Sequence, residues 1–156
     1  MTEGEKTRLI AWGNELRAVH QRLREALQVT RAAVDAGEVD RPAARDLLLY
    51  CHGFCAALTG HHQGEDRELF PQIAAAHPEL GETLRTLEQD HVMMSRLMND
   101  LQVATARASS PVELGRHLDG LAAIMESHFR YEERQLLTVL DALAPDADPH
   151  ALLGPL

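Results

Sequence analysis

Residues 61–70 read HHQGEDRELF and residues 128–137 read HFRYEERQLL. Set 67 residues apart, the two stretches agree at His61 and His128, Glu65 and Glu132, Arg67 and Arg134, and Leu69 and Leu136. Asp66 stands against Glu133 and Phe70 against Leu137. In both, a His precedes a Glu by four residues, the spacing that puts two side chains on the same side of an α-helix one turn apart.

The apolar positions around the first stretch run Leu47, Cys51, Phe54, Leu58, His61, Glu65, Leu69, in steps of three and four that keep one helical face inward. Those around the second run Leu114, Leu118, Leu121, Met125, His128, Glu132, Leu136, Val139. Two further stretches follow the same template with one His each: Leu84, Leu87, His91, Met94, Met98, Leu101, and Leu9, Leu16, His20, Leu23, Leu27, Thr30. The chain therefore reads as four long helices, each pointing a His at the core.

Breakers fall between the four stretches. The first helix is expected from about Glu5 to Ala36, ended by Gly37, and a second starts with Asp40 as cap and Pro42 in its first turn. The second is expected to reach Phe70, with Pro71 kinking or ending it and His77-Pro78 closing the segment. The third runs from near Pro78 to about Ala108. Ser110, with Glu113 three residues on, forms a capping box for a fourth that ends near Ala144. Short links force antiparallel neighbours, so the fold class is all-α, an up-and-down antiparallel four-helix bundle over residues 1–144. Residues 145–156, PDADPHALLGPL, carry three prolines and no period, and read as a tail, an extended strap or a partly disordered segment.

Composition agrees and narrows the function. At 156 residues the chain buries about two-thirds of its unfolded surface in one core. Aromatics are only 4% of it, and Ala and Leu dominate over β-branched residues. A formal charge of -9 with no basic cluster excludes a nucleic-acid partner. No run of 18 apolar residues and no secretory pattern in MTEGEKTRLI point to a cytoplasmic protein off the membrane, a monomer or weak homodimer. Cys51 and Cys55, one helical turn apart, read as reduced packing residues.

Two carboxylates and four imidazoles in the seams need a compensating charge, because a buried ionised carboxylate without a partner costs several kcal/mol at least. A metal compensates directly, since neutral imidazole and carboxylate ligate iron, manganese and zinc. The sequence forms two helical hairpins, each with a lone His (His20, His91) followed by a His-x-x-x-Glu clamp (His61 and Glu65, His128 and Glu132). That is a pseudo-twofold binuclear site, in which each metal takes two nitrogens and shares carboxylate oxygens. His62 lies about 100° from His61 around the helix and reads as a flanking residue or one that supports a ligand, in preference to a ligand itself. Asp66 and Glu133 either reach a metal or pair with Arg67 and Arg134 at the surface. His117 reads as a core polar group near a bundle end, His52 as exposed, His77 and His150 as loop residues, and Met94 and Met98 as residues that line the site.

The ordered set of a lone His, HHQGEDRELFP, EQDHVMMSRL and HFRYEERQLL resembles the hemerythrin-like, HHE cation-binding family over residues 8–140. The resemblance implies a carboxylate-bridged di-iron centre, oxo- or hydroxo-bridged, held by His20, His61, Glu65, His91, His128 and Glu132, with manganese or zinc as substitutes. The oxygen carriers of that family place two histidines a turn apart on the third helix. Here His91 is flanked at four residues by Leu87 and Ser95. Their last helix spaces its carboxylate as His-x-x-x-x-Asp, whereas this chain has Glu132 at four and Glu133 at five. The arrangement is similar to that of bacterial members with H, HxxxE, H, HxxxE. The expected ligand is accordingly peroxide, oxygen or nitric oxide, with catalase-like peroxide decomposition as the activity. The alternative is a sensor or binding module for oxygen, nitric oxide or iron.

Overall fold

The computed structural model describes residues 3–37, 41–107, 109–142 and 153–154, and places side chains for 13–36, 51–107, 109–140 and 153–154. Helix α1 spans Glu3–Gly37 and α2 spans Arg41–Gly64; a π-helical turn, Glu65–Leu69, leads directly into α3, Phe70–Ala76. A 3-10 turn, Pro78–Leu80, precedes α4, Gly81–Ala106, and α5 is Pro111–Ala142. The main contacts run α1 to α2, α2 to α4, α4 to α5 and α5 back to α1, which closes an all-α four-helix bundle.

Leu16, Leu23, Leu58, Leu87, Leu101, Leu121 and Leu136 are fully buried, so the three-and-four periodicity of the sequence is the inner face of the bundle. The α5 cap forms as expected, the Glu113 N–H donating to Ser110 Oγ at 3.2 Å. The expected cap at Asp40 and most of the tail from 145 lie outside the described residues. Helices α1 and α5 are tied from outside by Arg24, which donates to both carboxylate oxygens of Glu126 at 2.8 and 3.1 Å, and by Arg31, which pairs with Asp119.

Pro71 does not end the second helix. The Phe70 N–H donates to the Glu65 carbonyl five residues back, and the chain stays helical to Ala76. A proline inside an α-helix clashes with the carbonyl four residues earlier; widening the turn before it relieves that clash. In the repeat the matching position is Thr138, and there α5 stays α-helical. The π turn opens at Glu65 itself.

Cys51 and Cys55 are free and buried. Burial pushes the Cys55 thiol up to about 12, which leaves almost no reactive thiolate near neutrality. At pH 8 the folded protein is expected to leave both thiols unmodified by a disulfide reagent over a time in which the denatured chain reacts fully. Rapid labelling of the folded protein would contradict this packing. Among the described residues no helix is long and apolar enough to cross a membrane.

Candidate metal centre

The six sequence-predicted residues all lie in the core, His20, His61, Glu65 and Glu132 at 0% exposure and His91 and His128 at 4% and 2%. They fall into two groups whose ligand atoms lie within 4.8 Å of one another: His20, His61 and Glu132, and Glu65, His91 and His128 joined by His62. Each His-x-x-x-Glu clamp is thus split between the groups. Glu65 Oε1 stands 3.1 Å from His61 Nε2 and 3.5 Å from His91 Nε2, while Glu132 lies 3.0 Å from His128 Nε2 and 3.6 Å from His20 Nε2. Both carboxylates face both groups.

These distances repeat in pairs, and so do the rings. His61 and His20 meet edge to face at 5.3 Å, His128 and His91 at 4.8 Å. Phe129 stacks on His20 at 3.9 Å and 8°, and His62 stacks on His91 at 3.9 Å and 11°. Residue 62 matches residue 129 at the 67-residue offset, so His62 occupies the place that Phe129 holds in the other half. Position 62 is therefore interior, and the reading of His62 as a flanking residue does not fit its place: it is 4% exposed, with its Nε2 unpartnered beside Glu65, His91 and His128.

The repeat extends outward. His91 Nδ1 donates to Asp66 at 2.7 Å and His20 Nδ1 to Glu133 at 3.1 Å. Asp66 and Glu133, each one residue past a core Glu, thus orient the lone His of the partner hairpin helix. Glu133 lies 4.0 Å from Arg24, and Arg134 lies over the Tyr131 ring. His128 Nδ1 donates to Asp90 at 3.0 Å, a role the sequence signalled only by an acid beside His91. His61 Nδ1 donates to the Leu153 carbonyl at 2.7 Å.

These partners fix tautomers. Carboxylate and carbonyl oxygens accept, so Nδ1 of His20, His61, His91 and His128 carries a hydrogen, and in the neutral ring that ligates a metal Nε2 carries a lone pair. His91 Nε2 and His128 Nε2 then face each other at 3.1 Å. Two lone pairs at that distance repel, whereas two nitrogens held about 2.1 Å from one metal at a right angle stand about 3 Å apart. The Nε2 atoms of His20, His61 and His62 and all four oxygens of Glu65 and Glu132 are buried without a hydrogen-bond partner. Burial and the neighbouring Glu132 carboxylate raise the Glu65 carboxyl well above the ordinary carboxylate range. Burial lowers His61 to about 3, keeping its ring neutral as a ligand must be. Every orphaned atom belongs to an imidazole or a carboxylate, the side chains that ligate iron, manganese and zinc, and Glu65 must give up its proton for a cation to bind.

A cavity of about 320 Å³ between α2 and α4 is lined by Thr59, His62, Gln63, Asp66, His91, Val92, Ser95, Arg96 and Met98. Met98, expected to line the site, lines this cavity, while Met94 is fully buried. The remaining histidines stand apart: His52 is exposed, His77 donates to Glu79 at 3.0 Å in the turn before α4, and His117 borders a surface cavity with Arg107 and Glu113. His150 lies outside the described residues.

A family model described as the hemerythrin HHE cation binding domain matches residues 14–140. No curated protein and no solved structure matches the chain.

Proposed function

Since the chain belongs to the hemerythrin HHE cation-binding domain family, we propose that its core holds two iron ions and uses them to decompose peroxide. One sits at His20, His61 and Glu132, the other at His62, Glu65, His91 and His128, with the two glutamates shared. The observation that carries this reading is the set of seven buried, unpartnered ligand atoms of His20, His61, His62, Glu65 and Glu132, gathered in two groups with His91 and His128. An unfilled core of that kind is costly; a pair of cations satisfies every member of it.

The halves are unequal, and the inequality assigns their roles. Phe129 stacks on His20 and meets His61 edge-on, and none of His20, His61 and Glu132 lines the cavity. His62 and His91 form part of the cavity wall, with Asp66 and Arg96 beside them, so a small ligand meets the centre at that half. The volume admits peroxide, dioxygen or nitric oxide together with water. Bound iron would relay the two electrons given up by one hydrogen peroxide, which leaves as dioxygen, to a second, which with the two released protons becomes two waters. Asp66, which holds the His91 Nδ1 hydrogen, keeps that ring oriented as protons move at the cavity.

Peroxide added to the iron-loaded protein is expected to evolve dioxygen at a rate well above that of the same iron free in buffer. Equal rates would end the catalytic reading. Stoichiometric binding of nitric oxide or oxygen without turnover would make the chain a sensor or binding module instead.

A further inference from the structure

The pseudo-twofold repeat is broken at a second place, and the break concerns how His61 is held. His128 is oriented by Asp90, the residue just before His91. The equivalent in the other hairpin is the residue just before His20, which is Val19, buried and unable to accept a hydrogen bond. His61 therefore lacks the carboxylate that its counterpart has. The acceptor it uses instead comes from outside the bundle: the Leu153 carbonyl, at 2.7 Å.

This contact is built. Leu153 is 1% exposed and packs into the hydrophobic core. Gly154 follows with φ +91, a conformation that suits glycine, and a Cβ there would stand 2.7 Å from the His61 nitrogen and 2.8 Å from the Gly60 carbonyl carbon. Both are backbone atoms of α2 and cannot swing aside. Leu153 and Gly154 therefore seat their backbone directly on the Gly60–His61 peptide.

We propose that Leu153–Gly154 is a structural part of the metal centre, its carbonyl holding His61 as an Nε2 ligand as Asp90 holds His128. Leu153 and Gly154 are positioning residues. Because a neutral carbonyl replaces a carboxylate, and because Leu153 lies outside the four bundle helices, the His20–His61–Glu132 half is the one that depends on Leu153 and Gly154 being seated. Its cation is expected to be held less firmly wherever Leu153 and Gly154 are displaced or absent. The inference rests on the di-metal reading for its second readout only.

Two variants test it, Gly154→Ala and a chain shortened to end before Leu153, with Gly120→Ala as control because nothing lies within 4 Å of a Cβ added there. The first readout is the ¹⁵N spectrum of the imidazole rings in the metal-free protein at neutral pH. The parent and the control are expected to show His61 as the single Nδ1–H tautomer, and both variants to show it exchanging between tautomers. The second is cation release from iron-loaded protein to a chelator, where each variant is expected to lose one of two irons at least about tenfold faster than the parent. A His61 signal unchanged in both variants would overturn the proposal, as would unchanged release or release quickened equally from both halves. A parent that binds no metal would sink the di-iron reading, while the tautomer spectrum would still decide the role of Leu153 and Gly154.

Discussion

Alanine in place of Glu65 or Glu132 is expected to empty the centre, and Glu132→Ala also to destabilise the metal-free protein. Each carboxylate faces nitrogens of both groups, Glu65 those of His61 and His91 and Glu132 those of His128 and His20. Losing either one removes an oxygen from both cations, so iron content should fall below about a tenth of the parent's after gel filtration. In the metal-free protein the two residues differ. Burial and the neighbouring Glu132 hold the Glu65 carboxyl well above the ordinary range, whereas for Glu132 burial is outweighed by the adjacent Glu65, His128 and His20 side chains, which hold it well below. Removing Glu132 leaves those buried partners unpaired, at a cost of about 3–5 kcal/mol. Thermal melts with chelator present should therefore place Glu132→Ala below the parent, and melts of iron-loaded samples should place both variants below it. Full iron occupancy in the variants, or a metal-free Glu132→Ala that melts with the parent, would contradict the assignment.

The second large effect belongs to His62→Phe. The exchange copies Phe129 into the matching position, preserving a ring to stack on His91 while deleting the nitrogen that faces Glu65, His91 and His128. The second group is then left with two imidazoles and one carboxylate, as the first has. Affinity for the cation on the cavity side is expected to drop about 10-fold to 100-fold, with the other cation retained and the helical content unchanged. Peroxide turnover should fall with it. If His62 only flanked the site, both irons and the full rate would survive the substitution, and a titration of iron back into the metal-free variant separates these outcomes.

The contrast between His62 and its neighbours shows what the sequence made legible. Seam residues recur every three or four positions, and a His and a Glu on the seam announce themselves because charge does not belong there; hence the bundle and six candidate ligands could be read directly. His62 was set aside because it lies about 100° from His61. In a bundle where α2 packs on both α1 and α4, the buried arc is wider than one stripe, and a residue at that angle falls on the α2–α4 contact. The signal was present in the repeat, since Phe129 fills the same position and an aromatic there marks it as interior. Asp90 was harder to recognise, because an acid beside a ligand His is common on a helix surface and its partner, His128, is on another helix. Pro71 was read as a kink or a stop because i to i+4 bonding was assumed; the π turn supplies the slack. Nothing in PDADPHALLGPL foretold the Leu153 carbonyl, since a backbone acceptor leaves no mark in side-chain chemistry.

The most direct test of the central claim is metal analysis of protein purified aerobically from iron-supplemented cells, read together with its near-ultraviolet absorption before and after peroxide. Two irons per chain, with a charge-transfer band that changes as peroxide is consumed, is the result the site requires. A folded chain that carries no metal, or one zinc, would mean that these buried histidines and glutamates serve some other purpose.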